Sequence, residues 1–89
     1  MKVIFANSAL KEYKVWERSS PKTVLKIKEL IKDILHNGMA DGLGRPEKLK
    51  HYKSPVKFSR EINKGDRLVY FSDGKHLFIE SCKGHYGDH

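Results

Sequence analysis

Residues 67–82, RLVYFSDGKHLFIESC, carry the pattern that decides the fold. Two runs rich in β-branched and aromatic residues, Arg67 to Ser72 and His76 to Cys82, flank Asp73-Gly74, a pair suited to closing a tight hairpin. Both alternating faces are bulky. Leu68 and Tyr70 oppose Val69 and Phe71 on the first run, and Leu77 and Ile79 oppose Phe78 on the second. One face is expected to pack on helices. The other is expected to meet C-terminal residues or a bound partner segment, because an antiparallel sheet open to water ordinarily turns polar residues outward.

Upstream, Val56 to Ile62 reads as a third strand, joined to the hairpin through Asn63-Lys64-Gly65-Asp66, so the three runs predict an antiparallel meander. Before it, Met39 to Pro55 reads as an irregular loop, broken by Gly42, Gly44, Pro46 and Pro55. Further back, Ser20-Pro21 is a strong helix start: serine caps free N–H groups and proline at the first helical position has none to satisfy. Val24, Ile27, Leu30, Ile31, Ile34 and Leu35 then recur at helical spacing up to Asn37-Gly38, where a left-handed stop is expected. A shorter helix is predicted from the caps Asn7 and Ser8 to Glu17–Arg18, with Ala9, Leu10, Tyr13 and Trp16 on its inner face. Met1 to Phe5 completes the chain as a short strand. The reading is an α+β fold in the order β-α-α-β-β-β, with two N-terminal helices on a small antiparallel sheet, as one domain over residues 1–89.

The sequence carries 18 Lys plus Arg against 11 Asp plus Glu, a net charge of +7, and its pI is near 9.6. From Arg45 to Arg60 the only acid is Glu47, among Arg45, Lys48, Lys50, Lys53, Lys57 and Arg60. Such a patch attracts a polyanion, although a solvated surface explains many lysine-rich stretches. A single cysteine, Cys82, excludes an internal disulfide and a cysteine-based zinc site, and points to a reducing, cytoplasmic setting. Val3 to Ala6 is too short for a signal segment and nothing approaches membrane-spanning length, so no membrane partner is expected. A chain this short has a thin core, which makes a partner or a homodimer a source of extra stability.

RNA carries a 2′-hydroxyl beside each scissile phosphate, so its cleavage needs neither a metal nor an enzyme nucleophile. A base, a fixed cation for the five-coordinate phosphorus and an acid for the departing 5′ oxygen suffice. The sequence offers Glu47 in its basic loop, Arg60 and Arg67 on adjacent strands, and His85-Tyr86 after the last strand. Each has an ordinary reading too: Glu47 as a loop carboxylate paired with Lys48 or Lys50, Arg67 as the partner of Asp66, His85 as a tail residue, Tyr86 as a surface ring. His85 and His89 have i, i+4 spacing, but two glycines lie in that segment and no third ligand is set by motif, so neither metal nor cofactor is expected. Cys82 reads as a small packed hydrophobe.

Taken in order, Arg45-Pro46-Glu47-Lys48-Leu49-Lys50-His51, Phe58-Ser59-Arg60, Asp66-Arg67-Leu68-Val69-Tyr70 and His85-Tyr86 closely resemble the YoeB/Txe branch of the RelE toxin superfamily. The likeness extends to the Tyr13/Trp16 helix and to Ile27 through Asp33. It implies a microbial-RNase-like fold and a ribosome-dependent endoribonuclease that cuts messenger RNA in the A site. Glu47 would be the general base, Arg67 the transition-state clamp, His85 the general acid and Tyr86 an orienting residue, with Lys50, His51 and Arg60 binding phosphate. It also implies 2′,3′-cyclic phosphate and 5′-hydroxyl products, and a co-encoded antitoxin of the YefM/Axe kind that wraps the toxin. Two departures stand out: Arg60 is followed by Glu61 where these toxins commonly show a second arginine, and Gly87-Asp88-His89 extends beyond the His-Tyr pair. The competing classes are a non-catalytic ParE-like toxin and a basic ribosome- or RNA-binding module.

Overall fold

The computed structural model describes residues 1–50 and 54–84. In chain order the elements are β1 (Lys2–Phe5), α1 (Asn7–Ser19), α2 (Pro21–Asn37), β2 (Glu47–Lys48), β3 (Phe58–Glu61), β4 (Arg67–Ser72) and β5 (His76–Ser81). They form one five-stranded sheet in the order β1-β5-β4-β3-β2. The meander β3-β4-β5 is antiparallel as expected, but β1 pairs parallel to β5, with Val3 opposite Leu77 and Phe5 opposite Ile79, so the sheet is mixed. Two helices separate β1 from the rest of the sheet, and a helical crossover lets the first strand return in the same direction as the last.

Local chemistry accounts for α2. The Ser20 hydroxyl accepts from the Thr23 N–H at 3.3 Å and Pro21 opens the first turn. At the far end Gly38 donates its N–H to the Ile34 carbonyl with φ +96° and ψ −179°, an extended left-handed conformation open only to glycine, rather than the αL stop. Helix α1 starts differently from expectation. Ala6 occupies its N-cap without a side-chain bond, and the Ser8 hydroxyl instead donates to the Glu80 carbonyl.

Ala9 from α1 and Ile27, Leu30 and Ile34 from α2 are buried against Leu68, Tyr70, Leu77, Ile79 and Cys82 from the sheet side. Tyr13 meets Phe5 edge-on at 5.4 Å, and the Trp16 ring N–H donates to the Cys82 carbonyl at 2.8 Å, so both aromatics pack α1 onto the sheet. On the opposite face Val69 is buried, while Phe71 and Phe78 stack at 4.9 Å and remain partly open. The β4–β5 ladder slips between Val69 and Tyr70, which leaves Glu80 as an extra residue on β5 whose carboxylate pairs with Lys57.

Among the described residues the one charged residue in the core is Arg60, with no exposed surface. Its side chain spends all five N–H donors inside the protein: Nε on the Tyr70 hydroxyl, Nη1 on the Asp33 carboxylate and the Leu43 carbonyl, Nη2 on the Gly38 and Asp41 carbonyls. The assignment of Arg60 to phosphate binding is therefore corrected, since a phosphate would have to displace a buried ion pair and four neutral acceptors. Arg60 instead moors the segment between α2 and β2 to the core.

Asp33 completes that mooring. The Leu43 N–H and the Arg60 guanidinium hold its carboxyl below the ordinary aspartate value. A depressed folded pKa contributes stability that is present above the unfolded value, near pH 4, and lost as pH falls through the folded one. Asp33→Asn is expected to melt lower at neutral pH and to lose less additional stability than the parent between about pH 5 and 3. Thermal melts followed by circular dichroism at each pH check this, and parallel pH curves for the two proteins would contradict it.

Candidate functional site

The segment expected to be irregular contains a two-residue strand. β2 lies at the sheet edge, with Glu47 opposite Ser59 and Lys48 opposite Phe58, and the Leu49 N–H extends the pairing to the Lys57 carbonyl at 2.9 Å. The chain reaches this edge through Gly44, at φ +80°, and Arg45, at φ +52°. A side chain at Gly44 would meet Leu30 at 2.9 Å and the Glu61 carbonyl at 3.1 Å, so only glycine permits the close approach. Arg45 is a non-glycine residue held in left-handed backbone, a conformation that surrounding contacts must enforce. The Glu61 N–H donating to the Gly44 carbonyl at 2.6 Å is one such contact.

Strand alternation then decides which side chains meet. Arg60 points into the core, so Ser59 and Glu61 point to the opposite face, and the partners Glu47, Arg67 and Val69 share that face with them. Arg67 leans across to Ser59: Nε donates to the Ser59 hydroxyl at 2.9 Å, and Nη2 makes longer bonds of 3.4 Å to the carbonyls of Ser59 and Arg45. Its Nη1 has no partner among the described residues. Glu47 is exposed beside the same serine and has no ion-pair partner within 4 Å among the described residues. The backbone of Arg67 also holds the end of the described chain, since its N–H donates to the Gly84 carbonyl at 3.0 Å while the Gly84 N–H donates to the Asp66 carboxylate at 2.8 Å.

Glu47 and Arg67 are thus brought together on the helix-free face around Ser59. Lys50 is exposed three residues beyond Glu47. His51, His85 and Tyr86 lie outside the described residues, as do both histidines of the i, i+4 pair. Among the described residues no three His, Cys, Asp or Glu side chains form a metal-binding group. Cys82 is packed under α1, its thiol pushed up to about 12 by burial and by the neighbouring Glu12 and Asp66 carboxylates, so it is no nucleophile at neutral pH.

Ser59 is the residue that sequence reasoning left without a role. It is fully buried although polar, and its hydroxyl is what aims Arg67. The only signal was a small hydroxyl on the polar face of an otherwise bulky strand. Ser59→Ala is expected to destabilise the fold by about 1 kcal/mol and to reduce any activity that depends on Arg67 by roughly tenfold, since a guanidinium free to swing is less well positioned. Comparing urea midpoints with turnover separates the two effects.

The description "YoeB-like toxin of bacterial type II toxin-antitoxin system" matches residues 5–86 of the chain. Among curated proteins, Toxin YoeB of Escherichia coli is 38% identical over 86 residues, covering 97% of this chain and all of that protein. The solved YoeB dimer from Staphylococcus aureus superposes with a TM-score of 0.88 at 42% identity, over 97% of this chain and 98% of the other. The toxin chain in the heterotetrameric YoeB–YefM toxin–antitoxin complex from the same organism gives 0.85 at the same identity, with the same coverage of 97% and 98%.

Proposed function

The chain belongs to the YoeB-like toxins of bacterial type II toxin–antitoxin systems, and from that premise we propose that it is a ribosome-dependent endoribonuclease that cuts messenger RNA in the A site. Residues 1–89 act as one toxin domain in the cytoplasm. The observation that carries the reading is the shared environment of Glu47 and Arg67, which flank Ser59 on one open face, with the strand leading to His85 tied to Arg67 through Gly84.

In this reading Glu47 removes the 2′-hydroxyl proton, and the 2′ oxygen attacks phosphorus. The Nη1 of Arg67, unpartnered among the described residues, meets the charge that builds on the phosphoryl oxygens, which it can do without reorganising because Nε and Nη2 are already fixed. His85 gives its proton to the departing 5′ oxygen and Tyr86 orients the RNA. The products are a 2′,3′-cyclic phosphate and a 5′-hydroxyl, no metal entering the step. Lys50 and His51 hold flanking phosphates, and Arg60 has no part in RNA contact.

The proposed controller is a YefM-like antitoxin, as in the S. aureus complex, and a homodimer is the proposed resting assembly, as in the S. aureus dimer. An open apolar groove of about 390 Å³ supports a bound partner segment: Val3, Phe5, Leu10, Tyr13, Ile31 and Leu35 line it beside β1, the edge strand of the sheet among the described residues.

The deciding experiment programmes purified ribosomes with a defined messenger RNA, adds the protein and maps the new 5′ ends. Cuts inside the A-site codon with 5′-hydroxyl ends are expected. Translation blocked without cuts would favour the binding module instead, and growth arrest with translation intact would favour the ParE-like alternative.

A further inference from the structure

The backbone just beyond β5 is held from two sides, and the residues that hold it have no part in the chemistry above. Cys82 gives its N–H to the Glu12 carboxylate at 2.8 Å and takes the Trp16 ring N–H on its carbonyl at 2.8 Å. Gly84 gives its N–H to the Asp66 carboxylate at 2.8 Å, and its carbonyl accepts from the Arg67 N–H at 3.0 Å. Between them the Lys83 ammonium lies over the Trp16 ring, 5.8 Å from its centre. Helix α1 and the β3–β4 turn thus grip a short strap at its two ends, and the next residue in the sequence is His85.

Within that grip the Asp66 side chain serves the strap and not its own turn. The turn is closed by the Asp66 backbone carbonyl, which accepts from the Ile62 N–H at 3.0 Å and the Asn63 N–H at 3.3 Å. The carboxylate makes its one hydrogen bond among the described residues to Gly84, 18 residues away. Gly84 is where such a bond matters: it sits at φ +94° with nothing near enough to meet a side chain, and glycine has the widest choice of backbone directions to lose. Arg67, the proposed clamp, makes the companion bond through its own N–H, so residues 66 and 67 set the guanidinium and the departure of the chain toward residue 85 in one frame. Resting on the ribonuclease reading, we infer that Asp66 is a positioning residue for the general acid. In the cleavage step the bond from the 2′ oxygen to phosphorus forms, the bond from phosphorus to the 5′ oxygen breaks, and that oxygen takes the proton of His85. Asp66 acts on the last of these events. A bond that only steadied the fold would bear on all of them alike.

The test compares two messenger RNAs on programmed ribosomes with the full-length protein at saturation, one natural and one in which sulfur replaces the 5′ oxygen of the A-site linkage. A thiolate departs without a proton, so the second substrate has no need of the acid. Asp66→Ala is expected to slow single-turnover cleavage of the oxygen linkage by roughly 10–100-fold and that of the sulfur linkage by less than about threefold. Asp66→Ser, equally suited to a turn but one atom short of the Gly84 N–H, should behave as Asp66→Ala and serves if the alanine variant does not fold. Asp66→Asn retains an oxygen that can accept from Gly84 and should stay within about threefold of the parent on both substrates. Cleavage of both linkages at the parental rate by the alanine and serine variants, or equal slowing of both, overturns the inference. Failure of the ribonuclease reading looks different: the parent then cuts neither linkage, or His85→Ala slows the two alike, and the inference falls with it.

Discussion

Glu47→Gln is expected to lower the single-turnover rate of messenger RNA cleavage on ribosomes by about 10²–10⁴-fold, the range supplied by a positioned general base. The amide keeps the size and most of the hydrogen-bonding shape of the carboxylate but cannot take the 2′ proton. Glu47 is exposed on a two-residue edge strand, and its contribution to the ladder is made by backbone atoms, so melting should be unchanged. On the proposed role of Arg67 as transition-state clamp, Arg67→Ala should lose about 10²–10³-fold, and because Arg67 also bonds Ser59 and Arg45, a drop in stability of about 1–2 kcal/mol should accompany it. The pair should not multiply: residues acting on one step lose together nearly what the worse one loses alone. A Glu47→Gln protein that cuts at the parental rate would remove the carboxylate from the chemistry and with it the acid–base scheme.

Arg60 gives the second large effect, and it falls on folding. Arg60→Met keeps much of the side-chain volume but leaves the Gly38, Asp41 and Leu43 carbonyls and the Tyr70 hydroxyl short of donors, and strips Asp33 of its guanidinium. Removing one member of a buried ion pair typically destabilises by about 3–5 kcal/mol, against a total of about 5–15 kcal/mol for a domain. Urea unfolding should therefore show a greatly lowered midpoint. Arg60→Lys should rescue little, since an ammonium brings three donors on a point charge where five in a planar fork are used. A phosphate contact predicts the opposite: unchanged unfolding and a shallower salt dependence of RNA binding.

Arg60 also shows where sequence reading stops. Helix α2 was legible because its signals are local, from the Ser20-Pro21 start through Val24, Ile27, Leu30 and Ile34 to Gly38. The β4–β5 hairpin was legible for the same reason, with Asp73-Gly74 between two alternating runs. Whether an arginine in a basic stretch faces solvent or core depends on acceptors 17 to 27 residues away, at Leu43, Asp41, Gly38 and Asp33, and no local pattern carries that. Strand β2 is not legible in the sequence because two residues beside Pro46 give no period to detect, and their partners Ser59 and Phe58 lie across a long connection. The parallel pairing of β1 likewise depends on how two helices fold back, not on residues 2–5. Glu47 and Arg67 are legible by chemical type and family likeness, while the serine between them carries no such marker.

Mooring the approach to β2 on a core guanidinium ties the fate of one surface carboxylate to the integrity of the interior. Colonies surviving a selection against toxicity should accordingly carry lesions at Asp33, Arg60 and Tyr70 as readily as at Glu47, and only the amount of soluble protein each clone retains will tell an inactive toxin from a collapsed one.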